Sequence, residues 1–327
     1  IAVIELDPNS IDYGKILFNI PVNPDFTLHH IFYNQDLSKA YVTALNSDSL
    51  YVINMSDQVW RLKPIHTPMC KVQENIIFSD DNTKWWLTCM GSENVIVGNA
   101  ISDEIIDVIS LPNTFPHGIT LDERIDRILV ANCVAPDMSN AGKTIEVIEA
   151  STGKHLDSIE ISRGSLNAPV EVLFVPNSDP PIAYATTMME NSLWGLKWDY
   201  NSNSFKTKEI FDFRKSDKSL MPLEIYFNKN GKIIDVINEE RLTRKKLQSG
   251  FPSKCLKYIL KKNKLEIKKI NYFAYGWHGK QHNYSSYFTK LLNRISKCDL
   301  KNKKIYKLIL DRTRAEFNRD NIIYNKF

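Results

Sequence analysis

Histidines and glutamates recur at one place in a repeated pattern. Three residues before Phe32, Ile77, Thr120, Phe174 and Phe227, apolar positions suited to the innermost strand of a sheet, stand His29, Glu74, His117, Glu171 and Glu224. Imidazole nitrogens mixed with carboxylate oxygens suit a transition metal such as zinc, iron, manganese or copper. The same groups also suit a polar small-molecule ligand. A plainer reading stands beside these: the side chains hydrate a channel or bond to neighbouring backbone. His30 is the next candidate if the first repeat is shifted by one residue. His66 and His155 fall in strand or turn contexts and read as surface residues.

Such a ring needs elements that bring distant residues together. Five segments, beginning at Leu28, Gln73, Pro116, Val170 and Leu223, share a polar residue, an apolar strand, a short turn and a second strand. Their strands are rich in Val, Ile, Tyr, Phe and Trp, and their turns in Asp, Asn, Ser and Gly. A spacing of about 43 to 54 residues is that of four-stranded propeller blades, and the longest gap holds an insertion at Ala135–Gly142. The expected fold is therefore mainly β, a β-propeller of about five four-stranded blades over residues 1–229. Its innermost strands line a central channel, where the five polar residues would converge. Ala2–Asp7 and Lys15–Ile20 read as the outer strands of one blade, and the hairpin Leu223–Asn238 is expected to supply its inner strands and close the ring.

Charge divides the chain near the same place. Residues 229–327 carry 25 Lys and Arg against 8 Asp and Glu, whereas the preceding residues carry 17 against 30. So large a swing marks a boundary. After Asn238 the period becomes helical, with Phe251, Cys255 or Leu256, Ile259 and Leu260 on one face and Pro252 in a first turn. Ile267–Trp277 reads as a strand, and residues 283–296 and 305–318 as helices, so residues 230–327 are expected to form a partial α/β domain. The lysines are scattered among Asn, Ile and Tyr rather than forming a stripe, which argues against a nucleic-acid partner. No two of Cys70, Cys89, Cys133, Cys255 and Cys298 make a CxxC pair, so neither a zinc knuckle nor a disulfide framework is expected. No apolar run reaches membrane-spanning length, which argues against a membrane partner. The chain starts at Ile1 without Met, which leaves a removed leader or a fragment equally open.

Two family resemblances follow from particular residues. IAVIELDPNSIDYGKIL, at residues 1–17, is similar to the opening strands of the selenium-binding-protein (methanethiol oxidase) propellers. Tyr41–Thr43 and the HGI and PLEIYFN segments resemble the related YVTN-type repeat proteins. The resemblance implies that channel His and carboxylate residues hold a metal. The family's Cys-bearing motifs are not matched, so thiol oxidation is not implied, while ligand binding or a scaffold with a protein partner on the propeller face is.

Asn230–Leu260 resembles the start of the O-carbamoyltransferases of nodulation-factor, antibiotic and capsule biosynthesis, through Glu239, Glu240, Arg241, Arg244, Lys246, Phe251 and Pro252. That resemblance implies carbamoyl phosphate and ATP as substrates, with Arg244 and Lys246 on phosphate oxygens. The alternative is a solvated ion-pair cluster. Propeller sequence stands where the family carries a Gly-His-Asp-like strand, and the family's His-His-x-x-His motif falls beyond Phe327. His278 and His282 are spaced i,i+4 but lie in a Gly-containing loop without a nearby carboxylate, and read as no metal site. The expectation is a ligand- or metal-binding propeller fused to an incomplete carbamoyltransferase that does not transfer a carbamoyl group by itself. The alternatives are a carbamoyltransferase acting on a sugar or secondary-metabolite hydroxyl, if a longer chain supplies the missing motifs, and an interaction scaffold. The halves also disagree on location, since such propellers are often exported and an ATP-using transferase belongs in the cytoplasm.

Overall fold

Lys39–Ala44, Lys84–Cys89 and Arg127–Asn132 are apolar on both faces, as befits strands with a neighbouring sheet on each side. In the computed structural model, which describes residues 1–5, 10–12, 15–23, 25–164, 167–215, 222, 225 and 227, these are the second strands of successive blades. A ribbon of β1 (Ala2–Ile4) and β2 (Ile16–Asn19) opens the chain. The first blade holds β3 (Leu28–Tyr33), β4 (Lys39–Ala44), β5 (Ser49–Asn54) and β6 (Lys63–His66). The second holds β7 (Gln73–Phe78), β8 (Lys84–Cys89), β9 (Asn94–Asn99) and β10 (Ile105–Ser110). In the third are β11 (Pro116–Asp122), β12 (Arg127–Asn132), β13 (Thr144–Glu149) and β14 (His155–Glu160). The fourth comprises β15 (Pro169–Phe174), β16 (Ile182–Thr187), β17 (Ser192–Asp199) and β18 (Ser204–Asp212).

Each blade is an antiparallel meander of four strands in chain order. Among the described residues there are four such sheets and the two-stranded ribbon, with no α-helix and two short 3-10 turns. The chain divides into two compact units. One is Ile20–Val22 with Phe26–Ile234, which contains all four blades; the other is Ile1–Asn19, Asn23–Asp25 and Asp235–Phe327, which contains the ribbon. The expected closure of the ring by Leu223–Asn238 and the expected α/β segment at 230–327 lie outside the described residues, apart from Ile225, which is buried, and Phe227, whose ring lies 6.0 Å from that of Tyr184. Among the described residues, no helix is long and apolar enough to cross a membrane.

Alternation along the second and third strands builds the core between blades. Trp85 and Leu87 face the first blade, against Tyr41, Leu50 and Val52, while Trp86 faces the third, against Ile128, Val130 and Ile148. Leu129, Ala131, Ile145 and Val147 then meet Val172, Ala183, Ala185 and Leu196 of the fourth blade. Trp85 is fully buried because Gly98 faces it; a Cβ at Gly98 would stand 1.9 Å from the indole ring. Outer strands β10 and β14 are largely exposed, as the blade rim requires.

Polar ties fix neighbouring blades in register. Lys39 Nζ donates to Ala100 O at 2.7 Å and reaches Asp103 Oδ2 at 2.8 Å, and Tyr41 Oη donates to Asp103 Oδ1 at 2.6 Å. The first-to-second-strand turns are joined by Gln35 N–H to Asn82 Oδ1, Asp80 N–H to Glu123 Oε1 and Arg124 Nη1 to Ser178 O. Contrary to the sequence expectation, Cys70 and Cys89 form a disulfide across 19 residues. No short-range motif announces it. Pairing of Gln73 with Cys89 carries the connection between the first two blades alongside the end of β8, and that juxtaposition comes from the fold.

Candidate functional site

The four innermost strands carry the same irregularity. Between Leu28 and Ile31, Gln73 and Ile76, Pro116 and Ile119, and Pro169 and Val172, the register to the second strand slips by one residue. Each is a β-bulge, with two inner-strand residues opposite one, a device that re-aims side chains. The bulged pairs are His29 and His30, Glu74 and Asn75, His117 and Gly118, and Val170 and Glu171.

Facing three of these bulges is a buried threonine. Thr43 Oγ1 accepts from His30 N–H at 3.1 Å, Thr88 Oγ1 from Asn75 N–H at 2.9 Å and Thr186 Oγ1 from Glu171 N–H at 3.2 Å. A bulge leaves a backbone donor without a ladder partner, and burial would make that costly. The hydroxyls supply the partner. In the third blade Ala131 takes the threonine's place and Gly118 the bulge position. A Cβ on Gly118 would lie 2.6 Å from Val170 O and 2.7 Å from Glu171 Oε1, so glycine there lets the fourth blade pack closely.

Of the ring expected from sequence, the structure brings His29, Glu74 and His117 together. Glu74 Oε2 lies 2.8 Å from His29 Nε2 and 3.4 Å from His117 Nε2. Its carboxylate is buried, and Oε2 has these two ion-pair contacts but no hydrogen bond. His30 joins the group: donor atoms of His29, His30 and Glu74 all lie within 4.8 Å of one another, and the two rings are 3.8 Å apart. Bonds of about 2.0–2.2 Å to one ion would set neighbouring donors roughly 3 Å apart, close to the spacings here. His29, His30 and Glu74 are thus a compact set of imidazole and carboxylate donors of the kind that holds a metal ion, and His117 adjoins it through Glu74 alone.

Glu171 falls one place along. The hairpin register aligns it with His30, Asn75 and Gly118, and puts Val170 level with His29, Glu74 and His117. Its carboxylate accepts a long 3.4 Å hydrogen bond from Asn75 Nδ2, linking the fourth blade to the second past Gly118. The anchoring residue that corresponds to Phe32 in the fourth blade is Leu173, not Phe174. Glu224, Arg244 and Lys246 lie outside the described residues.

Cys133 borders this region. Its thiol is buried beside Val134, Ala141, Ala168, Val170 and Met188. Burial, and then the negative charge of Glu74, push its pKa up to about 12. Two other histidines lie elsewhere: His66 is exposed on β6, 3.7 Å from Asp48, and His155 on β14 sits 2.9 Å from the buried Glu146. Neither the threonines nor Glu146 is among the residues expected from sequence. The visible signal was a Thr one residue before the end of β4, β8 and β16; nothing comparable marks Glu146.

No protein-family model matches the chain, and no curated protein matches it. Solved structures do. A hypothetical selenium-binding protein from Sulfolobus tokodaii superposes with a TM-score of 0.53 at 13% identity, over 64% of this chain and 56% of that one. Hydrazine synthase from Kuenenia stuttgartiensis superposes with a TM-score of 0.53 at 14% identity, over 67% of this chain and 63% of that one. The chain thus spans less than two thirds of either relative. At these identities the likeness shows a β-propeller fold.

Proposed function

We propose that the propeller is a metal-binding module whose centre is formed by His29, His30 and Glu74, with His117, 3.4 Å from Glu74, completing it. The observation that carries this reading is the buried Glu74 oxygen, in ion-pair range of two imidazole nitrogens and hydrogen-bonded to neither. A cation between them would give that oxygen the partner burial demands. A bound ion would supply Lewis acidity, while His29, His30, Glu74 and His117 would hold it. One relative of this fold is described as selenium-binding, which supports a ligand site in the fold without fixing its chemistry. The Cys70–Cys89 disulfide favours an oxidising compartment, and so the exported of the two locations.

Metal analysis of the purified full chain after loading with zinc tests this. One equivalent is expected in the wild type and in His155→Ala, with loss in His29→Ala and Glu74→Gln. A wild type without bound zinc, or zinc retained by both inner variants, overturns the reading.

A further inference from the structure

Thr88 does more than cap its own bulge. It is fully buried, and its one oxygen accepts the N–H of Asn75, the residue after Glu74, at 2.9 Å. The same hydroxyl reaches the backbone carbonyl of His117, on the next blade, at 2.7 Å. Its contact to Asn75 O is longer, at 3.1 Å, so the single hydroxyl proton is best placed on His117 O. One side chain therefore ties the bulge that presents Glu74 to the strand that presents His117. These are the two residues whose donor atoms stand 3.4 Å apart.

We infer that Thr88 is a positioning residue for the metal centre, fixing the separation between Glu74 and His117 through a backbone bridge between two blades. The inference rests on the metal-binding reading above. Thr186 provides an internal comparison, since it caps the equivalent bulge in the fourth blade, where Val170 occupies the ligand position. Losing either hydroxyl leaves a buried bulge donor without its partner, and Thr88 in addition joins Glu74's bulge to the strand of His117.

The test is zinc affinity of the full chain, measured by competition with a chromophoric chelator, alongside thermal melting of the metal-free protein. Removing a group that orients ligands typically weakens metal binding about 10- to 100-fold. Thr88→Val is expected to weaken zinc by that factor, Thr88→Ser to stay within about threefold of wild type, and Thr186→Val to leave affinity unchanged while lowering the melting temperature comparably. Wild-type affinity in Thr88→Val, or equal loss in Thr186→Val, overturns the inference while the metal reading stands. If Thr88→Val does not fold, Thr88→Ser decides, and a tenfold loss there overturns it. A wild type that binds no zinc overturns both.

Discussion

Two buried glutamates sit beside histidines in this propeller, and they are held in opposite ways. Glu146, on the third strand of its blade, is saturated: Oε1 accepts from Thr144 Oγ1 at 2.5 Å, while Oε2 accepts from Ser158 Oγ and lies 2.9 Å from His155 Nε2. Thr144 is held in turn by Asn132 Nδ2 at 2.9 Å. Glu74, on an innermost strand, has comparable burial and a comparable histidine distance, but its Oε2 makes no hydrogen bond. A carboxylate whose acceptor sites are taken by hydroxyls is part of the packing. On the metal-binding reading, one left facing imidazole nitrogens is arranged for a cation.

The comparison breaks most directly by truncating each carboxylate. Glu146→Ala leaves Thr144, Ser158 and His155 without their common acceptor and is expected to lower unfolding free energy by about 3–5 kcal/mol, two hydroxyl bonds to a charged group being worth about 1.5–3 kcal/mol each, with zinc affinity retained. Glu74→Ala is expected to change metal-free stability by no more than about 1 kcal/mol, because little is well bonded to lose, and to abolish zinc binding. Urea unfolding with and without zinc reads both. If the metal-free Glu74→Ala protein loses as much as Glu146→Ala, the two sites are alike and the contrast fails.

The disulfide sharpens the contrast from the backbone side. Cys89 pairs with Gln73, the neighbour of Glu74, whereas Glu146 lies on another blade. Replacing Cys70 and Cys89 by Ala is expected to cost about 3 kcal/mol through the freed 19-residue loop. Zinc affinity should fall with it, since the strand end presenting Glu74 loses its staple. Unchanged affinity alongside the stability loss would mean that the bulge and Thr88 hold Glu74 without help from the disulfide.

The blades were legible in the sequence because two facts repeat: apolar runs at strand spacing, and Asx- and Gly-rich turns. Inner strands begin at Leu28, Gln73 and Pro116, where the repeated segments begin, and the fourth begins at Pro169, one residue before the expected Val170. In sequence the larger Phe174 is the natural anchor and places Glu171 in the ring, whereas in the fold Leu173 holds that place and Val170 stands in the ring. A one-residue shift moves every side chain to the opposite face, so sequence alone could not choose. Glu146 went unnoticed because its partners, at Thr144, His155 and Ser158, converge only when β13 and β14 pair. The disulfide is equally a product of pairing, not of spacing.

Gly118 tests how tightly the fourth blade is fitted to the inner cluster. A methyl group there meets backbone, at Val170 O, as well as the Glu171 carboxylate. Overpacking of this kind costs about 1–3 kcal/mol, and Gly118→Ala is expected to fall in that range while separating Glu171 from Asn75. No comparable glycine adjoins Glu146 among the described residues, so the outer cluster should keep its hydrogen bonds. A variant as stable as wild type would show that the fourth blade yields there.

The smallest effect separates the two glutamates by charge alone. Cys133 is held protonated by burial first and by Glu74 second, with its pKa pushed up to about 12. Because the folded value lies above the unfolded one of about 8.5, this thiol contributes stability below that pH and loses it as pH rises toward 12. At pH 9 the Cys133 peptide is expected to resist iodoacetamide in the folded protein and to react once denatured, as read by mass spectrometry. Glu74→Gln removes the negative charge and should speed folded-state labelling modestly, since burial remains. Glu146→Gln should not. Equal acceleration in both variants would mean that loosened packing, rather than the charge of Glu74, controls the thiol.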